Sequence, residues 1–120
     1  MKEKDKYNLE ERTGLFGRAV IRTLKKMSQD AVNRRLISQC VASSGSIGAN
    51  YCEANEAESK KDFVHKISIC KKEIKETRHW LKLLIEAEPS FKPELEILWQ
   101  EAQELLLIFS KIIHSCRNNN

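Results

Sequence analysis

The chain has 120 residues, of which 32% are charged and 41% hydrophobic, and its formal net charge is +4. That length supports one domain around one core, and the composition, with only two prolines, suits a helical soluble protein. No run of roughly eighteen apolar residues occurs, so a membrane span is not expected. The most apolar piece, Leu105 to Ile113, is broken by Ser110 and Lys111. The opening MKEKDKYNLEER lacks the apolar centre of a secretion signal, which points to the cytoplasm. Cys40, Cys52, Cys70 and Cys116 form no C-x-x-C pair and no finger-like spacing with a histidine, so they are expected to be reduced, buried, structural thiols.

The first predicted helix covers about residues 8–27. Leu9, Thr13, Phe16, Val20, Thr23 and Met27 follow alternating steps of four and three, the pattern of one buried helix face. Gly14 and Gly17 each weaken it by about 1 kcal/mol relative to alanine, so packing must hold it. Asp30 then caps a second helix of about residues 30–58. This helix contains VASSGSIGANYCEA, a stretch that reads locally as loop. Ile37, Cys40, Ser44, Ile47, Tyr51 and Ala54 nevertheless keep the four-three register through it. A loop has no reason to keep register, so the stretch is expected to be a helix face of small residues that lets a neighbouring backbone come close. A phosphate-binding loop is not supported. The glycines are three apart, no Lys-Ser or Lys-Thr follows, and no strand precedes.

The third helix is predicted over about residues 60–87. Ser59 and Asp62 form a capping-box-like start, and Pro89 ends it. Its stripe is Phe63, Ile67, Cys70, Ile74, Thr77, Leu81 and Leu84. The fourth, about residues 93–117, begins with Pro93, Glu94 and Glu96, residues that suit a first turn and the positive end of the helix dipole. Leu95, Leu98, Ala102, Leu105, Phe109, Ile112 and Cys116 form its inner line, and the tail from Arg117 to Asn120 is expected to fray. A second apolar line runs through Trp99, Leu106 and Ile113. Two lines exceed what one antiparallel neighbour needs, so these three residues are expected to form an oligomer interface. Together the elements specify an all-α fold, an up-down antiparallel four-helix bundle, as a single domain over 1–120.

Charge is unevenly spread. Residues 1–82 hold 18 Lys and Arg against 11 Asp and Glu, whereas residues 83–120 hold 3 against 6. Arg18, Arg22 and Lys25 share one face of the first helix, and Arg12, Lys26, Arg34 and Arg35 extend the charge around the first turn. The only acid between Arg12 and Arg35 is Asp30. Such density is what phosphate neutralisation needs, so these seven residues are candidate contacts to RNA or DNA without sequence specificity. Lys60, Lys61, Lys66, Lys71, Lys72, Lys75 and Lys82 add charge on the third helix. No enzyme is expected. A di-iron bundle needs two Glu-x-x-His motifs, and only Glu76 and His79 supply one, on either side of the core position Thr77. Glu53 and Glu56 near Asn50 have no nucleophile or paired base, so a polar packing role is the simpler reading for Asn50 and Glu53. Neither a metal nor another cofactor is expected.

The segment from Ser43 to Leu84 resembles the family of small bacterial four-helix-bundle proteins called 23S ribosomal RNA intervening-sequence proteins. The matching pattern is Ser46, Ile47, Ala49, Asn50 and Glu53, then Asp62 and Phe63, then Glu76 and Leu83. RTGLFGRAVIRTLKKM, from Arg12 to Met27, is similar to the family's first helix. Ala54 stands where the family often has a helix-ending glycine, so the second helix is expected to run a turn longer. The family is similar to the accessory variability protein of diversity-generating retroelements. That relationship implies a homopentameric ring that binds nucleic acid and a reverse transcriptase. A rival expectation is a protein-binding scaffold or assembly factor with no nucleic-acid role.

Overall fold

Three helix starts are fixed by short polar side chains that satisfy backbone donors the helix itself leaves open. Asn8 accepts from the Glu11 amide at 3.3 Å, Asp30 from the Asn33 amide at 2.9 Å, and Ser59 from the Asp62 amide at 3.0 Å. In the computed structural model, which describes residues 8–118, the helices are α1 (Leu9–Leu24), α2 (Ala31–Asn55), α3 (Lys60–Ala87) and α4 (Lys92–Asn118). A single 3-10 turn, Pro89–Phe91, joins the last two. Residues 1–7 and 119–120, which include the charged start and the end of the expected frayed tail, lie outside the described residues. The tail expectation is corrected for Arg117 and Asn118, which continue α4.

The helices form a ring in chain order. Consecutive helices are neighbours and α1 closes against α4, while the diagonal pair α2 and α4 meets only through side chains, the Tyr51 ring edge-on to Phe109 at 5.7 Å. This is the up-down bundle that short connections between antiparallel helices produce. No described helix is long and apolar enough to cross a membrane.

α2 runs unbroken through the small-residue stretch, with no positive φ at any described glycine. The reason is visible across the α1–α2 seam. A Cβ on Gly48 would lie 3.3 Å from Thr13 Oγ1 and 3.8 Å from the Gly14 amide nitrogen. A methyl there would be in contact with the α1 backbone and would press the Thr13 hydroxyl aside by a few tenths of an ångström. On its other side α2 meets α3 through polar contacts of equally short reach. Thr77 Oγ1 lies within hydrogen-bond distance of the Glu73 carbonyl, to which it donates, and of Ser43 Oγ, both at 2.8 Å. Cys70 Sγ donates to the Ile47 carbonyl at 3.4 Å. The three buried side chains, Ser43, Cys70 and Thr77, come from the register positions or sit one residue beside them. Tertiary packing thus overrides the weak local propensity of the stretch.

Two boundaries differ from expectation. α1 stops at Leu24, where the amides of Lys26 and Met27 bond to Thr23 and Leu24 three residues back and tighten the last turn. Met27 still enters the core. α2 stops at Asn55, short of residue 58, so it does not run the extra turn expected from Ala54.

The second apolar line of α4 needs a larger correction. Leu106 and Ile113 are buried in the bundle's own core, and Trp99 is half-buried against it. In a ring of four, α4 must face α3 and α1 together, so a broad apolar face is consumed within one chain. The apolar side chains that α4 exposes are Ile97 and Leu107, at 71% and 60%.

At one end the α1–α2 turn and the α3–α4 turn are tied together. The buried amide of Asn33 donates to the Ser28 carbonyl at 2.9 Å and also to the Glu88 carboxylate. Glu88 accepts from the Ser28 amide as well, at 3.2 Å.

The close α1–α2 approach has a measurable signature. Gly48→Leu is expected to overpack the seam and cost about 1–3 kcal/mol. Gly45→Ala faces open space and is expected to stabilise by about 0.5–1 kcal/mol. Urea denaturation followed by helical circular dichroism reads both, and equal effects at the two glycines would contradict the seam.

Candidate nucleic-acid interface

The seven candidate cations do not form one patch. Arg18, Arg22 and Lys25 are exposed on the outer face of α1, and none has an ion pair among the described residues. Arg34 and Arg35 are exposed on α2, in a groove facing α3. Lys26 pairs with Glu94 at 3.3 Å, but both side chains are well exposed, so the pair is screened and weak.

Arg12 is a correction. Its guanidinium grips Glu101 through two bonds, Nε to Oε2 at 2.7 Å and Nη2 to Oε1 at 2.8 Å, and reaches Glu104 Oε1 at 3.1 Å. The Arg12 side chain is only 11% exposed. The hydrogen bond to Glu101 pushes its pKa up, against the opposing effect of burial. This is a strap between α1 and α4, with the planar bidentate geometry that suits Arg to carboxylates, and it leaves the charge spent.

The third helix offers a row that the first-helix pattern overshadowed. Lys71, Lys75, Arg78 and Lys82 recur at steps of four, three and four, which places them on one stripe beside α4. Arg78 Nη1 donates to Gln103 Oε1 at 2.6 Å, and Arg78 and Lys82 stand 5.6 and 5.4 Å from the Trp99 ring centre. Trp99 is therefore a platform for two cations rather than part of an apolar contact surface. At the α4 end of this seam a groove of about 430 Å³ collects Lys71, Lys72, Lys75 and Arg117. The spacing signal was present in the sequence, but Arg78 stood outside the lysine series and its partner on α4 had no mark.

Of the family-pattern residues expected to pack, only Ile47 is buried. Asn50 Nδ2 donates to the Ser46 carbonyl at 2.9 Å, and Ala49 is exposed. Glu53 accepts from Lys66 Nζ at 2.7 Å, across the α2–α3 seam. His79, expected beside the core line, packs edge-on against the Trp80 ring at 4.9 Å. Two cysteines fit the buried expectation: burial pushes the thiols of Cys40 and Cys70 up to about 12. Cys52 is exposed and Cys116 half-buried, because the register carries Cys52 off the inner face and Cys116 lies in the last turns of α4.

The family model described as 23S rRNA-intervening sequence protein matches residues 8–114. A crystal structure from Bacteroides thetaiotaomicron, of a protein of unknown function from the S23 ribosomal protein family, shares 30% identity and superposes with a TM-score of 0.78. The alignment covers 87% of this chain and 96% of that one. No curated protein matches the chain significantly.

If Arg12 is a strap, Arg12→Gln should lower stability by about 1–2 kcal/mol, between the values for exposed and buried pairs. It should leave the salt dependence of nucleic-acid binding unaltered, and a double-mutant cycle with Glu101→Gln should show coupling. Glu73 gives a pH-dependent outcome. Burial raises its pKa, with Glu76 adding to the effect and Lys72 opposing it. A carboxyl raised in the folded state favours folding while protonated and loses that contribution as pH rises through its folded pKa. Glu73→Gln should therefore raise the urea midpoint at about pH 7 and change it little at about pH 4.

Proposed function

Because the chain belongs to the 23S rRNA-intervening sequence protein family over residues 8–114, we propose that it is a non-enzymatic, oligomeric bundle that binds structured RNA or DNA through its basic surfaces with low sequence specificity. The observation that carries this reading is the row Arg18, Arg22 and Lys25, exposed on α1 with no carboxylate paired to it among the described residues. Unpaired cations on one rigid face release counterions when they meet phosphates, and base contacts are not needed for that. On α3, Lys71, Lys75 and Lys82 add further cations beside Arg78, which is already bonded to Gln103.

Oligomerisation follows from the exposed apolar side chains rather than from the buried line of α4. Ile97 and Leu107 stand on a helix rich in glutamate, and Leu15 joins Ile97 in a groove between α1 and α4. An acidic, apolar surface on one copy facing a basic surface on the next is a heterologous contact, and such contacts form a ring where the rotation between copies closes. A homopentamer, with a reverse transcriptase as a further partner, is the ring that a resemblance to the retroelement accessory protein would imply.

The triple variant Arg18→Gln, Arg22→Gln, Lys25→Gln should weaken RNA binding and reduce the slope of log affinity against log salt by about two to three. Gel-shift titrations across a salt series read that slope, with light scattering of the same samples for particle mass. An unchanged slope would remove α1 from the interface. Tight binding to one protein with none to RNA at low salt would replace the reading with that of a protein-binding scaffold.

A further inference from the structure

Between α2 and α3 runs an open groove of about 460 Å³, lined by Arg34, Arg35, Leu36, Ser38, Gln39 and Trp80. No carboxylate belongs to this lining. Both arginines are exposed and unpaired among the described residues. Trp80 is half-buried, and its indole Nε1 is buried with no hydrogen-bond partner. The groove therefore meets ring carbon and not the N–H. The His79 ring, 4.9 Å away and inclined at 64°, props the indole from its own helix.

Each part of this lining suits a different chemical group. Two guanidiniums favour a dianionic or repeated anionic group. A flat aromatic surface favours another π-face. A hydroxyl and a primary amide can donate and accept at a polar edge. A free phosphate would use only the arginines, and an acidic peptide would gain nothing from the indole. A nucleotide uses all three features.

We propose that this groove receives one unpaired nucleotide of a bound RNA, with its base against Trp80, its phosphate at Arg34 and Arg35, and its base edge toward Ser38 and Gln39. In a duplex both faces of each base are covered by neighbours, so the groove selects loops, bulges and ends. The proposal rests on the nucleic-acid reading above and adds to it the form of RNA and the place where that form is sensed.

The test uses the full chain carrying Trp99→Phe, which leaves Trp80 as the only tryptophan of the original two. A single-stranded hexa-adenylate and a blunt RNA duplex are titrated at equal phosphate concentration and low salt, and Trp80 emission is followed. The hexamer should quench the emission and the duplex should not. Read by gel shift, since both changes remove the fluorophore, Trp80→Leu should weaken hexamer binding by about 5- to 100-fold while leaving duplex binding unchanged, and Trp80→Phe should retain most of the affinity. Arg34→Gln with Arg35→Gln, at exposed positions that do not threaten folding, should weaken hexamer binding and lower its salt slope. Equal quenching by the duplex, or hexamer affinity indifferent to Trp80→Leu in a protein with intact helicity, would overturn the groove assignment. Competition by an oligoglutamate peptide with the same dependence on Trp80 would assign the groove to acidic peptide instead. Duplex binding without hexamer binding removes the groove and keeps the basic-surface reading, whereas failure of both probes removes both.

Discussion

The architecture depends on the space that two helices do not need between them. At Gly48 the α2 backbone comes close enough to Thr13 and Gly14 of α1 that even a Cβ would press on the Thr13 hydroxyl. That approach sets α1 deep enough for Phe16, Val20 and Leu24 to reach the core. It also turns the opposite side of α1 outward, and this is where Arg18, Arg22 and Lys25 stand. On its far side α2 is held to α3 by the Ser43–Thr77 hydroxyl pair and the Cys70 thiol. The small residues of α2 thus sit between two seams, and a larger side chain at either would displace a neighbouring helix and the charges it carries.

The fold was legible because helical period survives in a one-dimensional string. The stripe on α3 from Ile67 to Leu84 gave that helix its inward face, and the same register recovered α2 through residues whose individual propensities argue against helix. The capping residues at Asp30 and Ser59 marked where chains enter helices, since those side chains act within three residues of themselves. The end of α1 was harder. Its last turn tightens through bonds from Lys26 and Met27, and no residue type there signals a stop.

The candidate site was less legible, and for one physical reason. Whether a cation is free depends on what lies opposite it, and partners on other helices are distant in sequence. Arg12 and Glu101 are 89 residues apart, so a basic run on α1 could not show that its first member was already matched. The breadth of the apolar face on α4 carried a similar ambiguity, because a second stripe fits a second neighbour inside the chain as well as one outside it. Trp80 gave no signal of its own. It became notable only when the fold brought it beside Arg34 and Arg35.

The clasp of Glu88 with Asn33 and Ser28 gives the molecule two mechanically unlike ends. The chain is two helical hairpins, α1–α2 and α3–α4, and at the clasped end one carboxylate engages a buried amide and a backbone donor of the other hairpin. Neither hairpin can open there without leaving Asn33 buried and short of a partner, which couples the two turns. At the far end the chain itself joins the hairpins through residues 56–59, with the surface tie of Lys66 to Glu53 beside it, while Asn55 to Glu10 at 3.5 Å lies within the first hairpin. One end is thus held by a polar clasp between two turns and the other by the chain itself. The α2–α3 groove, with Arg34 and Arg35 only one and two residues beyond Asn33, lies at the clasped end.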